Sequence, residues 1–502
     1  MLERTFINAV YQRYSLRKII MNHKKLVNNI STLIITSLLC VFFFEIRTIA
    51  QDIQGWENAD KIVNSIIIPP FPDRDYNIND FGAVGNGQTD CLPAIKKAID
   101  KCNVDGGGRV VIPHGVYFVK GPIHLKSHIN LVVSEGATLK FSSEPGDYLP
   151  VVLTRWEGTE CFNYSPFIYA YSVNDIAITG KGTIDGNAEK TFATWKPDQK
   201  QDQLLLRQMG NDNVPLNQRV FGEGHLLRPC MIQTYNCKNV LIDGVKIIDS
   251  PFWVIHPVLC YNVTVRNVVV TSTNLNNDGC DPEGSVNVLI ENCEFNTGDD
   301  AIAIKAGRDQ DGWRVGQSTE NIVIRNCQMN SKANGLCIGS EMSGGVRNVY
   351  MENCNVSNAG STIYFKANLD RGGFIENIWV RKINVEVARS RCIAFETNYQ
   401  GYRGNYYPPV FKNFTIENIT CLNGGKYAIF GEGVSDSKLR NITLKNITID
   451  KAEVPYHLMF IENWKIENVK ISGELMPTNP VMSKERVKQM EPMIYQKSEN
   501  EG

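Results

Sequence analysis

One pattern of apolar and polar positions recurs along the chain: Asn, apolar, any, apolar, any, then Asn or Gly, then an apolar residue or Cys. It appears at Asn239-Val240-Leu241-Ile242-Asp243-Gly244 and Asn262-Val263-Thr264-Val265-Arg266-Asn267, and returns at Asn287, Asn321, Asn348, Asn377, Asn413 and Asn441. The successive spacings are 23, 25, 34, 27, 29, 36 and 28 residues. Alternation of apolar and polar residues predicts a strand with one buried face, and the Val, Ile and Thr content favours strands. Repeats of this length signal a solenoid. Each unit suits a coil of two or three short strands, with loops of varying size between them. Asn at the strand ends tolerates the left-handed backbone of a sharp corner, and stacked coils would align these residues into ladders. The expected architecture is all-β, a parallel β-helix. Leucine-rich repeats fit less well, because these units favour Val and Ile.

Asn130-Leu131-Val132-Val133 and Asp175-Ile176-Ala177-Ile178-Thr179-Gly180 read as earlier coils. From Asp90 to Cys102 the apolar residues Leu92, Ile95, Ala98 and Ile99 take helical spacing, which predicts a capping helix with Asp90 as N-cap. Glu189 to Leu227 breaks the repeat and reads as a polar insertion, helical in part. The domain reading is a solenoid over residues 76–476, a linker over 51–75 and a tail over 477–502.

Residues 1–50 carry the features of a secretory signal. Arg13, Arg17, Lys18, Lys24 and Lys25 precede an apolar run from Leu33 to Phe44, and Thr48-Ile49-Ala50 offers a small-residue cleavage site. Met21 is an alternative start. The run falls short of the ~20 residues a membrane span needs, so the mature chain is expected to be exported, periplasmic or extracellular, without a stable span. Export permits disulfides, yet Cys293, Cys327 and Cys354 recur at one place in the repeat, as stacked buried thiols would. A net charge of -1 and no basic stripe exclude a nucleic-acid partner. A monomer is expected.

The chemistry concentrates mid-solenoid. Asn276-Asn277-Asp278-Gly279-Cys280-Asp281 lies between two strand motifs, and Asn296-Thr297-Gly298-Asp299-Asp300 follows one coil later, with Asp278 and Asp299 21 residues apart. One coil advances the axis by ~4.8 Å, so Asp278, Asp299 and Asp300 should lie together. Crowded carboxylates hold at least one proton to higher pH. Glycoside cleavage uses that division, one acid to protonate the leaving oxygen and one carboxylate to activate water. Calcium binding is the alternative use of oxygen-rich loops.

With these loops the sequence resembles the polygalacturonase family, glycoside hydrolase family 28. Further matching motifs are Phe81-Gly82-Ala83, Gly180-Lys181-Gly182-Thr183-Ile184-Asp185-Gly186, Ser250-Pro251-Phe252-Trp253 and Gly339-Ser340-Glu341, over residues 76–473. The resemblance implies a right-handed β-helix and an inverting, cofactor-free and metal-free hydrolase of pectic galacturonans. It implies Asp299 as general acid, with Asp278 and Asp300 activating water. Gly339–Gly345 and Arg371-Gly372-Gly373 look more like exo-acting bacterial members, and the Glu189–Leu227 insertion could wall off one end of the cleft.

Two positions depart from the family. Ala333-Asn334-Gly335 stands where Gly-His-Gly is usual, and Tyr364-Phe365-Lys366 where Arg-Ile-Lys is usual. The family's His tunes the carboxylates, and its Arg and Lys grip the substrate carboxylate. Asn334 keeps hydrogen bonding without charge, Tyr364 could stack on a sugar, and Lys366 survives. Lys305, His256, Arg228 and, more weakly, Trp253 and Arg403 complete the candidates for binding substrate. A β-helix polysaccharide lyase and a non-catalytic carbohydrate-binding surface protein are the competing readings, because the fold hosts many functions.

Overall fold

In a computed structural model, residues 55–400 and 403–483 are described. Residues 1–50, read as a signal, and most of the stretch read as a tail lie outside the described residues. Nine coils align one apolar position in register: Val240, Val263, Val288, Ile322, Val349, Ile378, Phe414, Ile442 and Trp464 pair in parallel, each with the next. Twenty-six strands join one sheet system that winds around a continuous apolar core. The architecture is a right-handed parallel β-helix.

The corner asparagines behave as their chemistry requires. Asn239, Asn262, Asn287, Asn321, Asn348, Asn377, Asn413 and Asn441 all adopt positive φ, between 54° and 63°. Asn239 donates its side-chain amide to Asp175 at 2.8 Å, and each later one donates to the Asn one coil before it, as Asn348 does to Asn321 at 3.1 Å and Asn377 to Asn348 at 3.3 Å. Asn463 extends the ladder by donating to Asn441. Asn348→Ala would force Ala into the left-handed region and leave the ladder open. The expected cost is about 2–3 kcal/mol, read as a lower urea midpoint with an unchanged slope; an unchanged midpoint would refute the ladder's role.

Every cysteine among the described residues is buried and free, the stacked Cys293, Cys327 and Cys354 included. Their thiols serve as small apolar side chains. The capping helix spans Leu92–Val104 and buries Leu92, Ile95, Ala98, Ile99 and Cys102 at the N-terminal end of the core. Its N-cap position is Cys91, one residue later than expected, and Asp90 still acts on the helix start by accepting from the Leu92 amide at 3.0 Å. The stretch read as a linker contains a helix, Trp56–Ser65.

The insertion is ordered. It forms a 3-10 turn at Phe192–Trp195, a helix at Lys200–Asn211 and a short strand at Val220–Phe221, which extends the antiparallel hairpin Val152–Trp156/Thr159–Asn163. Leu206, Phe221 and Leu227 pack with Trp156, Cys161, Cys230, Phe252 and Trp253 into a second, smaller core beside the solenoid. This core anchors the insertion next to the aspartate loops.

Candidate active site

Asp278 follows the strand Val269–Ser272, and Asp299 and Asp300 follow its in-register neighbour Glu294–Thr297. The loops are held by buried polar side chains. Asn277 donates to the Ser250 and Phe252 carbonyls at 3.1 and 3.0 Å, while its oxygen accepts from the Ser272 hydroxyl at 2.7 Å. Gly298 has no substitute here: a Cβ on it would stand 1.9 Å from the Asn274 carbonyl oxygen of the coil before. The result is one carboxylate cluster. One oxygen from each of Asp278, Asp299 and Asp300 lies within 4.8 Å of the others.

The three carboxyls differ in what surrounds them. Burial, then Asp281 and Asp299, push Asp278 well above the ordinary carboxylate range. Burial and the Asp300 charge raise Asp299. Burial works against the Asp300 anion too, but Lys366, Lys305 and Asn334 outweigh it and hold that group low. The geometry agrees: Lys366 Nζ donates to Asp300 Oδ2 at 3.3 Å, and the Asn334 backbone N–H and side-chain amide both donate to Oδ1. Neighbouring carboxyls are thus pushed in opposite directions, one toward its acid form and one toward its anion. The same gap is of a size that suits a cation, but two ammonium groups already serve it, Lys366 at Asp300 and Lys305 at 3.9 Å from Asp278.

Asp281, the last residue of the first aspartate loop, stands outside the lining of the cavity beside the cluster. It is fully buried, and neither of its oxygens receives a hydrogen bond among the described residues, nor does Asp278 Oδ1. Burial raises its carboxyl well above the ordinary range, as it does for Asp278. Burial and the repulsion between the two favour the protonated form of at least one of them. A group with a raised folded-state pKa costs stability as pH climbs from the unfolded-state value toward the folded one. Asp281→Asn should therefore raise the melting temperature at neutral pH and leave it unchanged at pH 3, as scanning calorimetry would read; equal effects at both would refute the buried proton.

The cluster opens into a cavity of about 270 Å³, lined by Trp253, Asp278, Asp299, Asp300, Lys305 and Lys366 together with residues of the insertion. Lys305 lines it, bonded to Glu341 Oε2 at 3.2 Å and lying 4.9 Å over the Trp253 ring. Five candidates are placed elsewhere than the cavity lining. His256 does not reach the cavity: it is wholly buried behind Trp253, with Nε2 2.9 Å from Glu283 Oε2 and Nδ1 2.9 Å from the Gln233 amide. Arg228 is also fully buried, donating to the Leu275 carbonyl at 2.8 Å and to Asn276 Oδ1 at 2.7 Å, so it braces the first aspartate loop from below. Tyr364 is buried, with its hydroxyl donating to Glu396, and offers its ring to the Lys366 ammonium 5.4 Å away rather than to a sugar. Asn334 is spent on Asp300 and does not line the cavity. The backbone N–H of Arg403 donates to Asp370, and this residue too is outside the cavity lining.

Sequence reasoning missed Glu157, Lys196, Lys200, Gln203, Arg207, Arg308 and Tyr399, which all line the cavity. They come from the hairpin turn, the insertion and distant loops that the repeat does not describe. Buried Arg308 and Arg371 converge on Glu341, which burial would raise but Lys305, Arg308 and Arg371 hold well below the usual range.

The model of glycosyl hydrolases family 28 matches residues 109–473. The chain is 28% identical over 419 residues to a probable polygalacturonase of Vitis vinifera, covering 80% of this chain and 78% of that protein. It is 26% identical to the exo-poly-alpha-D-galacturonosidase of Dickeya chrysanthemi, over 87% of this chain and 73% of that protein. Among solved structures, a hyperthermoactive exopolygalacturonase of Thermotoga maritima superposes with a TM-score of 0.81 at 42% identity, covering 84% of this chain and 96% of that one. The match across most of the solenoid, with the aspartate cluster at its centre, shows that this chain belongs to glycoside hydrolase family 28.

Proposed function

We propose that this protein is an exported, exo-acting, inverting hydrolase that removes terminal residues from galacturonate-containing pectic chains. The observation that carries the reading is the carboxylate cluster, with Asp299 raised and Asp300 held low, beside a cation-rich cavity flanked by the insertion. Asp299 gives its proton to the leaving oxygen. Asp300 is the anion that activates water, and Asp278, which keeps a proton with Asp281, orients that water. Lys366, and Lys305 over Trp253, meet the acidic sugars. The likeness to exo-acting relatives, 42% identity in one case, supports the same mode of cleavage. An export signal at residues 1–50 suits a polymeric substrate that cannot enter a cell.

Carboxylate spacing makes the stereochemistry a sharp test. Inverting enzymes commonly separate their two carboxyls by ~6.5–9.5 Å, and retaining ones by ~5–5.5 Å. The oxygens here lie within 4.8 Å. Inversion is nevertheless our reading, on the strength of the family resemblance; the Asp300 anion, held by Lys366 and Asn334, would serve as the base toward water. Proton NMR of a fresh digest should show the opposite anomer first; early appearance of the retained anomer overturns the mechanism. New reducing ends without ultraviolet absorbance, unaffected by chelator, are expected on polygalacturonate, with monomer or dimer as the earliest product. An absorbing unsaturated product would mark a lyase, and mid-length oligomers would overturn exo-action.

A further inference from the structure

The insertion carries charge that the aspartate chemistry does not use. Glu157, at the turn of the hairpin, accepts from the Gln203 amide with both oxygens, at 3.0 and 2.9 Å, and from Arg207 Nη2 at 2.6 Å. Arg308 is matched by Glu341. These cations therefore have counter-ions built into the protein. Lys196, just past the turn Phe192–Trp195, has no counter-ion in contact, only the more distant charges of Glu157 and Asp299. It lines the same cavity, is half-buried, and forms no ion pair among the described residues. Lys200 lines the cavity beside it, on the first turn of the next helix, and donates to Gln203 Oε1 at 3.0 Å.

Placing an ammonium in a partly dehydrated wall without a counter-ion in contact costs free energy. A ligand carboxylate would offset that cost. Sugars whose only charge is a carboxylate are what the cluster is read to cleave, so the complementary group is the carboxylate of a ring next to the cut. Lys366, bonded to Asp300, belongs to the solenoid side of the cavity, whereas Lys196 belongs to the insertion side. We propose that Lys196, with Lys200 beside it, is the receptor for the carboxylate of the terminal uronate ring. This rests on the exo-hydrolase reading and adds a requirement to it: the terminal ring must be a free acid, so a methyl ester or a neutral sugar at that end is rejected.

The test is a binding cycle in the full mature chain carrying Asp299→Asn to prevent turnover, read by titration calorimetry. The probes are trigalacturonate and two versions of it with the methyl ester on one terminal ring or the other. Adding Lys196→Met is expected to weaken trigalacturonate binding about tenfold or more, as loss of a charge-assisted bond does. It should change binding of one of the two esters by less than twofold, and that ester marks the end held. Lys196→Arg should restore most of the affinity. Equal weakening for all three probes, or none for any, overturns the proposal. Product analysis of the unmutated chain is the separate control. Internal cleavage of long chains, or none, would end the exo reading, while the binding cycle would still report whether Lys196 meets a carboxylate.

Discussion

Asp299→Asn is expected to lower hydrolysis of polygalacturonate by about 10²–10⁴-fold, the usual contribution of a positioned general acid. The amide keeps the shape of the side chain, and Asp299 is only partly buried, so the melting temperature should stay within a few degrees. The reason for the loss is specific. Burial and the Asp300 anion raise the Asp299 carboxyl, so that it is still protonated where a free carboxyl, near pH ~3.9, is not. For the same reason the alkaline limb of kcat/KM belongs to Asp299 and lies above the ordinary carboxylate range. The acid limb belongs to Asp300 and lies below it. Reducing-end assays of both proteins across pH 2–8 would check this, using substrates with good and poor leaving groups. If Asp299→Asn spares the good leaving group, its role as acid is confirmed; full activity on both would end the assignment.

Lys366→Met should have the second largest effect, about 10–10²-fold at mildly acidic pH, because one side chain supports two functions. Its ammonium donates to Asp300 Oδ2 at 3.3 Å, and its positive charge lowers both Asp300 and Asp299. Removing it raises both folded-state values. The sign follows directly: the acid limb moves to higher pH because Asp300 holds its proton longer, and the alkaline limb moves the same way. A purely substrate-binding lysine would raise KM and leave the pH profile of kcat in place. That outcome would refute the electrostatic role. Lys366 sits 5.4 and 5.3 Å from the rings of Tyr364 and Tyr399. These contacts explain how Tyr364 works where the family has Arg: it supports the remaining cation from below.

The exchange of the family's His for Asn334 has a comparable logic. Asn334 supplies donors to Asp300 and accepts from the Ser361 amide at 3.2 Å, so its amide is oriented by the next coil. It stabilises the Asp300 anion at every pH, because it has no proton to lose.

The repeat was legible because a solenoid turns a three-dimensional contact into a sequence period. Asn239 and Asn262 touch because they are 23 residues apart, one coil. The same rule brought Asp278 beside Asp299 and Asp300, and stacked Cys293, Cys327 and Cys354. Alternation on the strand told which residues face inward. It could not tell whether an inward position meets the core, a brace or the cavity. His256 and Arg228 failed on that distinction: both are polar residues near the aspartates, and both are buried and consumed by protein partners, Glu283 and Asn276.

The sequence by itself determined the coil, its register, the left-handed asparagine corners and the aspartate cluster, because each depends on contacts one period away. Only the tertiary structure decided which carboxyl keeps its proton, since that depends on Lys366, Asn334 and Asp281 reaching the same few ångströms from three coils. It alone placed Glu157, Lys196 and Arg207 against the cavity. They sit on a hairpin and an insertion outside the repeat, held there by a small second core whose packing no period along the chain describes.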